Sequence, residues 1–209
     1  MGRLLDADTD DLTLSPFMVF EIEDLMNLGD KNLIPVLTYL FHRIETSLDG
    51  TPTILVLDEA WIMLGHPVFR AKIREWLKVM RKANCAVILA TQSLSDAKNS
   101  GILDVLAESC PTKIFLPNIT ATQEAQRELY VGMGLNETQI NIIARATPKR
   151  DYYVVSPLGR RQVQLALGPK ALAFVGSSDK ESIARIQELE AEYGVNGWQY
   201  EWLRERDAA

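Results

Sequence analysis

No run of apolar residues approaches the ~18–20 needed to cross a bilayer, and the opening Met1-Gly2-Arg3-Leu4-Leu5-Asp6 lacks the apolar stretch of a secretory leader. Asp6 stands where an N-myristoylation signal needs Ser or Thr. The expected location is therefore cytoplasmic, with any hold on a membrane supplied by partners. Cysteine is scarce: Cys85 and Cys110 form no CxxC pair and join no Cys/His cluster, which argues against a disulfide framework or a zinc site and for two reduced thiols. The two histidines, His42 and His66, are too few and too far apart to suggest a metal centre. An excess of positive charge is missing as well, and the net charge of −6 argues against a dedicated nucleic-acid wrapper. No internal repeat and no low-complexity tract is present.

What is there is the balance of a globular protein, with 47% apolar and 24% charged residues, which excludes a disordered tail and a fibrous repeat. A chain of 209 residues suits one large domain or one and a half small ones. Residues 6–15 read as acidic and turn-like, and Phe17 to Ile22 as a short strand. Asp30 and Asn32 offer caps for a helix that tolerates Pro35 in its first turn. Leu33, Leu37, Leu40, Phe41, Ile44 and Leu48 give that helix its apolar face, and Asp49-Gly50-Thr51-Pro52 closes it.

Thr53 to Leu57 is a short apolar run after a turn, as in a buried parallel strand. A helix with Phe69, Ile73, Trp76, Leu77 and Met80 on one face follows. Cys85 to Ala90 is a second buried strand, Ile102 to Glu108 a short helix, and Lys113 to Leu116 a third candidate strand. The alternation indicates an α/β fold with a largely parallel sheet flanked by helices. Beyond residue 120 come two short helices near 121–131 and 136–145. Tyr152–Val155 and Gln162–Leu167 read as a hairpin turning at Pro157-Leu158-Gly159-Arg160. Ser178-x-x-Glu181 has the capping-box pattern for a helix carrying Ile183, Ile186, Leu189 and Tyr193 and ended by Gly194. Trp198 and Trp202 lie one turn apart on a last helix. The expected organisation is a core over 1–176 and a helical appendage over 177–209.

Ile54-Leu55-Val56-Leu57-Asp58-Glu59 is the most informative stretch. Four apolar residues bury a strand, and two carboxylates follow at its C-terminal tip, the end at which open α/β sheets bind ligands. In nucleotide-hydrolysing sites of this kind the first acid holds Mg²⁺ through water, and the adjacent glutamate activates the attacking water. A strand running into an Asp-Glu helix cap is common on structural grounds alone. The second signal is the next strand, Ala86-Val87-Ile88-Leu89-Ala90, which ends in Thr91-Gln92-Ser93 and so offers an amide beside the carboxylates. Against this stands an absence. The phosphate-binding pattern G-x-x-x-x-G-K-[ST] occurs nowhere, and Gly29-Asp30-Lys31 and Gly168-Pro169-Lys170 imitate it poorly. The 209 residues thus hold no amide nest for the β- and γ-phosphates, and no complete ATP site.

Taken together, Asp58-Glu59-Ala60-Trp61, Leu64-Gly65-His66-Pro67-Val68-Phe69-Arg70, Trp76 through Asn84, and Ala90-Thr91-Gln92-Ser93-Leu94-Ser95-Asp96 resemble the TrbE/CagE type of conjugal-transfer ATPase. The likeness continues through Phe20-Glu21-Ile22, Leu40 to Glu45, Pro148 to Tyr153 and Ala171 to Gly176, so it covers almost the whole chain. In that family the phosphate-binding loop lies upstream, and the departure here reads as a truncation with Met1 an internal methionine. The resemblance implies a RecA-like motor that binds ATP and Mg²⁺ between subunits of a hexamer. It would act at the inner-membrane base of a type IV secretion channel, with other secretion components as partners. It makes Asp58 the Mg²⁺-side carboxylate, Glu59 the base and Gln92 the polar sensor. Related motors carry an arginine just before the Gln-bearing strand, and Arg81 takes that place.

Other features leave their alternatives open. From Arg70 to Lys82 there are six basic residues and one acid, Glu75: a solvated helix face, a subunit interface, or a strip that touches DNA. Trp61 reads as a packing residue rather than a base-stacking one. Trp198 and Trp202 read as a docking seam or a contact with another secretion component. Lys149 and Arg150, ahead of a strand, are candidates to approach phosphate. A DNA-pumping coupling-protein motor and a non-catalytic fragment that binds secretion partners are the alternative functions.

Overall fold

The computed structural model describes residues 12, 15–22, 25, 29–177 and 179–208, with only the backbone at 62. The stretch 6–15 lies mostly outside them. Residues 15–22 form no strand, and Phe17 and Val19 are exposed. A strand needs a ladder partner, and none is paired to this segment among the described residues.

The chain divides into two compact units, one formed by residues 1–112 and 120–141 and the other by 113–119 and 142–209. In the first, helix α1 (Asp30–Ser47) is capped by Gly29 at φ 74°, with Leu33, Leu37, Leu40 and Phe41 buried. Strand β1 (Thr53–Leu57), helix α2 (Ala60–Gly65), helix α3 (Pro67–Val79), a 3₁₀ turn (Met80–Ala83) and strand β2 (Cys85–Leu89) follow. Pro67 at the first position of α3 suits a helix start, and the His66 side chain accepts the Val68 N–H there. β1 and β2 pair parallel, Thr53 opposite Cys85 through Leu57 opposite Leu89. Helices α4 (Leu94–Asn99) and α5 (Leu103–Ser109) come next, then α6 (Glu124–Gly132); α7 (Glu137–Arg145) holds the boundary between the units.

Alternation along the two strands turns Leu55, Leu57, Cys85, Val87 and Leu89 toward one core, with Phe41, Phe69, Ile73 and Trp76. Ile54, Val56 and Ile88, on the opposite face, are exposed. Trp76 is fully buried, its ring 4.5 Å from that of Phe41. Its indole N–H donates to Glu45 Oε1 at 2.6 Å, and Lys72 Nζ pairs with the same oxygen at 2.6 Å. Burial works against the charged form of Glu45, but Lys72 and Trp76 outweigh it and hold the carboxyl below its usual value. A buried indole N–H without an acceptor costs about 1–3 kcal/mol, so this one contact ties α1 to α3 in both position and register.

The second unit carries strands β3 (Lys113–Phe115), β4 (Asp151–Ser156) and β5 (Gly159–Gln164), ordered β3-β4-β5 and antiparallel throughout. The hairpin is the expected one, tightened to a turn at Pro157-Leu158 with Ser156 opposite Gly159. β3 differs from expectation: it joins this antiparallel sheet, not the parallel one, because β4 returns alongside it with Phe115 opposite Tyr153. Helices α8 (Pro169–Val175), α9 (Lys180–Tyr193) and α10 (Trp198–Glu205) complete the unit. Asp179 caps α9 by accepting the Ser182 N–H at 2.8 Å, while the expected cap Ser178 lies outside the described residues. Gly194, at φ 74°, ends α9 in a conformation that glycine adopts without strain. Trp202 is buried and donates to Ala173 O at 2.8 Å, and Trp198 meets Phe174 edge-on, so the two tryptophans dock α10 against α8.

Asp151 is the buried charge of this unit. It accepts the Thr147 N–H at 2.8 Å, the Arg150 Nε–H at 3.1 Å and Gln164 Nε2 at 2.9 Å. These donors, Thr147 first and Arg150 next, hold its carboxyl at about 2. A carboxyl lowered in the folded state stabilises it above the ordinary value of ~3.9, and that contribution is lost as pH falls toward the lowered value. The expected outcome is a loss of stability between about pH 4 and 2 that is blunted in Asp151→Asn, read by circular dichroism across an acid titration.

Candidate functional site

The parallel register decides the geometry. β1 ends at Leu57 and β2 at Leu89, directly opposite each other. Pairing runs on past both tips: Ala90 N donates to Leu57 O at 3.0 Å, and Ala60 N donates to Ala90 O at 2.9 Å. Between these two bonds the chain has only Asp58 and Glu59 with which to turn from strand into α2. It does so by placing Glu59 in the left-handed region, φ 49° and ψ 39°. That conformation costs a residue with a Cβ about 1–3 kcal/mol, and it aims the side chain toward the neighbouring tip. On the β2 side Ser93 caps α4 by accepting the Ser95 N–H at 3.1 Å, which leaves Ala90, Thr91 and Gln92 between strand and cap.

Gln92 Nε2 donates to Glu59 Oε1 at 2.8 Å, so two residues 33 apart in sequence meet at the strand tips. The Trp61 indole N–H donates to the other oxygen, Oε2. The two donors, Gln92 first and Trp61 second, hold the Glu59 carboxyl below its ordinary value. Asp58 is exposed, with Oδ1 accepting the Glu59 N–H at 3.0 Å. Glu59 is thus a fixed, ionised acceptor, and Asp58 an adjacent carboxylate open to solvent.

Arg81 is not brought to this cluster. It lies exposed in the 3₁₀ turn, which Asn84 (φ 58°) closes at the start of β2. β2 has five residues, so about 16 Å of strand separates Arg81 from the tip that leads to Gln92. Of the basic residues between 70 and 82, three are engaged inside the unit. Arg70 donates to Ser100 O, Arg74 to Gly101 O, and Lys72 pairs with Glu45 and Glu75. Lys78, Arg81 and Lys82 remain exposed. Lys149 and Arg150 belong to the other compact unit. Lys149 is exposed at φ 62°, and Arg150 is held by Asp151 and by Thr147 Oγ1 at 3.0 Å. Trp61 is the residue that sequence reasoning misplaced. It is 41% exposed rather than packed in a core. The available signal was its position two residues after the second acid, where a left-handed Glu59 lets the two side chains meet.

Helices layered on a parallel strand pair are the architecture of a partial RecA-like core. The family model of the TraG P-loop domain matches residues 2–157, and the chain belongs to that family, in its conjugal-transfer TrbE and VirB4 branch. It is 63% identical to the conjugal transfer protein TrbE of Rhizobium radiobacter over 209 residues, all of this chain and 25% of that protein. It is 65% identical over 206 residues to a probable conjugal transfer protein TrbE of Sinorhizobium fredii, 99% of this chain and 31% of that one. The chain therefore spans about a quarter to a third of the length of these curated relatives. The solved structure of VirB4 of Thermoanaerobacter pseudethanolicus shares the fold, with a TM-score of 0.59 at 23% identity over 74% of this chain and 42% of that one.

Removing the amide tests the geometry. In Gln92→Ala the Glu59 carboxyl loses one of its two side-chain donors, and its pKa should rise toward the ordinary glutamate value of ~4.3. Carboxyl ¹³C chemical shifts followed through an acid titration read this directly; an unchanged midpoint means that Gln92 does not hold Glu59 in solution.

Proposed function

We propose that this chain is the portion of a conjugal-transfer ATPase motor that carries the acidic, water-activating half of each ATP site. The observation that supports it is the Glu59–Gln92 contact at 2.8 Å across adjacent parallel strand tips, with Asp58 beside it. The donor set fits Mg²⁺, which takes one or two carboxylates and completes its shell with water and phosphate. No group of three or more His, Cys, Asp and Glu that could cage a metal occurs among the described residues. When bound, ATP and Mg²⁺ supply the γ-phosphoryl group and the neutralisation of its developing charge.

In this reading Asp58 holds the metal through water, Glu59 accepts the proton of the attacking water, and Gln92 orients that water from the neighbouring strand. The phosphate-binding loop comes from outside these 209 residues. The exposed Ile54, Val56 and Ile88 support this, since parallel sheets are ordinarily covered on both faces. Arg81, remote from its own strand tips, serves a neighbour's ATP in a hexamer, where a guanidinium neutralises transition-state charge. Lys149 is an exposed candidate for a phosphate contact, and Arg150 follows it only by leaving Asp151. The core is taken as 1–176 and the appendage as 177–209. The motor works on the cytoplasmic side of the bacterial inner membrane, through other secretion components. No helix among the described residues is long and apolar enough to cross a membrane.

The purified 209-residue chain is expected to release phosphate from ATP only at background. In the longer protein with its phosphate-binding loop, Glu59→Gln should keep nucleotide and lose turnover by ~10²–10⁴-fold, while Asp58→Asn weakens Mg²⁺-dependent binding. Turnover of Glu59→Gln within twofold of the wild type would assign the base elsewhere. Arg81→Ala subunits and subunits dead in the phosphate-binding loop, each inactive alone, should recover partial activity when mixed. Hexamers that form without recovery remove the trans role of Arg81.

A further inference from the structure

We infer that Trp61 is a positioning residue for Glu59: its indole N–H anchors Oε2 and leaves Oε1 as the oxygen that faces Gln92 and takes the proton. This rests on the ATPase reading of the site and adds to it a residue that works through the base. Three observations carry it. First, Trp61 is 41% exposed, whereas Trp76 and Trp202 are buried. Packing within these 209 residues therefore does not account for a large ring at the strand tip. Second, its hydrogen bond to Glu59 crosses a spacing of two residues, which on a regular helix does not bring side chains together. The left-handed backbone at Glu59 makes the contact possible, so the strained residue and the tryptophan form one device. Third, the two carboxylate oxygens are divided between two donors of different kinds. Trp61 is on the same short segment as Glu59, at the start of α2, while Gln92 is in the loop that follows the neighbouring strand.

The chemistry of the indole suits the task. It is a donor only, so it neither takes the proton nor competes for it. A donor to an ionised carboxylate is charge-assisted and directional, and it fixes the plane in which the free lone pair of Oε1 lies. Gln92 can then turn its amide toward the water while Glu59 keeps its aim. Without Trp61 both oxygens would exchange, and the reacting geometry would be reached for a smaller fraction of the time.

The first test uses the 209-residue chain and needs no catalysis. The Trp61 indole ¹⁵N–¹H resonance, assigned by its loss in Trp61→Phe, should shift through one acid titration with its midpoint below the ordinary glutamate value of ~4.3. Glu59→Gln should abolish that titration. The other ionisable groups at this end of the unit are Asp58, Asp96 and Lys98 on α4, which packs on α2, and His66 and Arg70 where α3 begins. A titration that survives Glu59→Gln belongs to one of them and overturns the inference, as does a resonance that does not titrate.

The second test uses the longer protein with its phosphate-binding loop. Trp61→Phe keeps the ring and removes the N–H. It should lower kcat about tenfold, the equivalent of one charge-assisted hydrogen bond, leave KM for ATP within twofold, and move the acid limb of the kcat profile to higher pH. The sign follows from the chemistry: losing a donor to the ionised form raises the pKa of the base, so more alkali is needed to ionise it. A normal kcat with an unmoved limb overturns the inference. Glu59→Gln separates the two levels. If that variant turns over normally, the ATPase reading of Glu59 fails; if it is dead while Trp61→Phe is normal, only the role of Trp61 fails.

Discussion

The structure depends on the in-register parallel pairing of β1 and β2. Five residue pairs, ending with Leu57 opposite Leu89, bring two chain segments to the same level. The Ala60–Ala90 and Ala90–Leu57 backbone bonds continue the pairing into the turns. A slip by one residue would exchange the inward and outward faces of one strand, exposing Leu55 and Leu57 or Val87 and Leu89. The same slip would separate Glu59 from Gln92 by about 3.3 Å of strand rise, past hydrogen-bonding reach. Core burial and site geometry are therefore one constraint.

That constraint is supported from below. Trp76 packs on Phe41 and closes its N–H on Glu45, and Glu45 is in turn paired by Lys72. This contact crosses from α1 to α3, the two helices that cover the inner face of the strands. The polar pair within an apolar layer makes the packing of these helices specific rather than merely greasy, because an unmatched indole N–H or carboxylate penalises other arrangements. The tips of the strands are held against a backbone that has turned left-handed at Glu59, and the strain there is balanced by two donors on its carboxylate.

Charge is segregated along the strands. Asp58 and Glu59 lie at the C-terminal tips, while Lys78, Arg81 and Lys82 lie exposed around the turn that enters β2. Sequence alone presented six cations between residues 70 and 82 as one basic stretch. Tertiary contacts divided them, because Arg70, Lys72 and Arg74 point back to the loop at 100–101 and to Glu45. The helical period places 70 and 74 on one flank of α3, and what that flank touches was not written in the local sequence.

The sequence by itself determined the strand at 53–57, a strand opening at Cys85, the acids and amide that follow them, a hairpin turning after Ser156 and the last helices. Each of these is a local matter of apolar periodicity, turn chemistry or capping. Only the tertiary structure decided which partner a short strand takes. Lys113–Phe115 is apolar enough for a parallel sheet and lies instead against β4, because ladder partners are set by where the rest of the chain returns. Residues 17–22 show the same limit: their β-forming side chains join no strand ladder among the described residues. Trp61 shows it at the site, since a tryptophan after Asp-Glu-Ala reads as core until the left-handed turn at Glu59 aims its N–H at a carboxylate. Propensity acts within a few residues, whereas strand pairing and side-chain contact depend on positions 30 or more apart, and those are fixed only when the chain has folded.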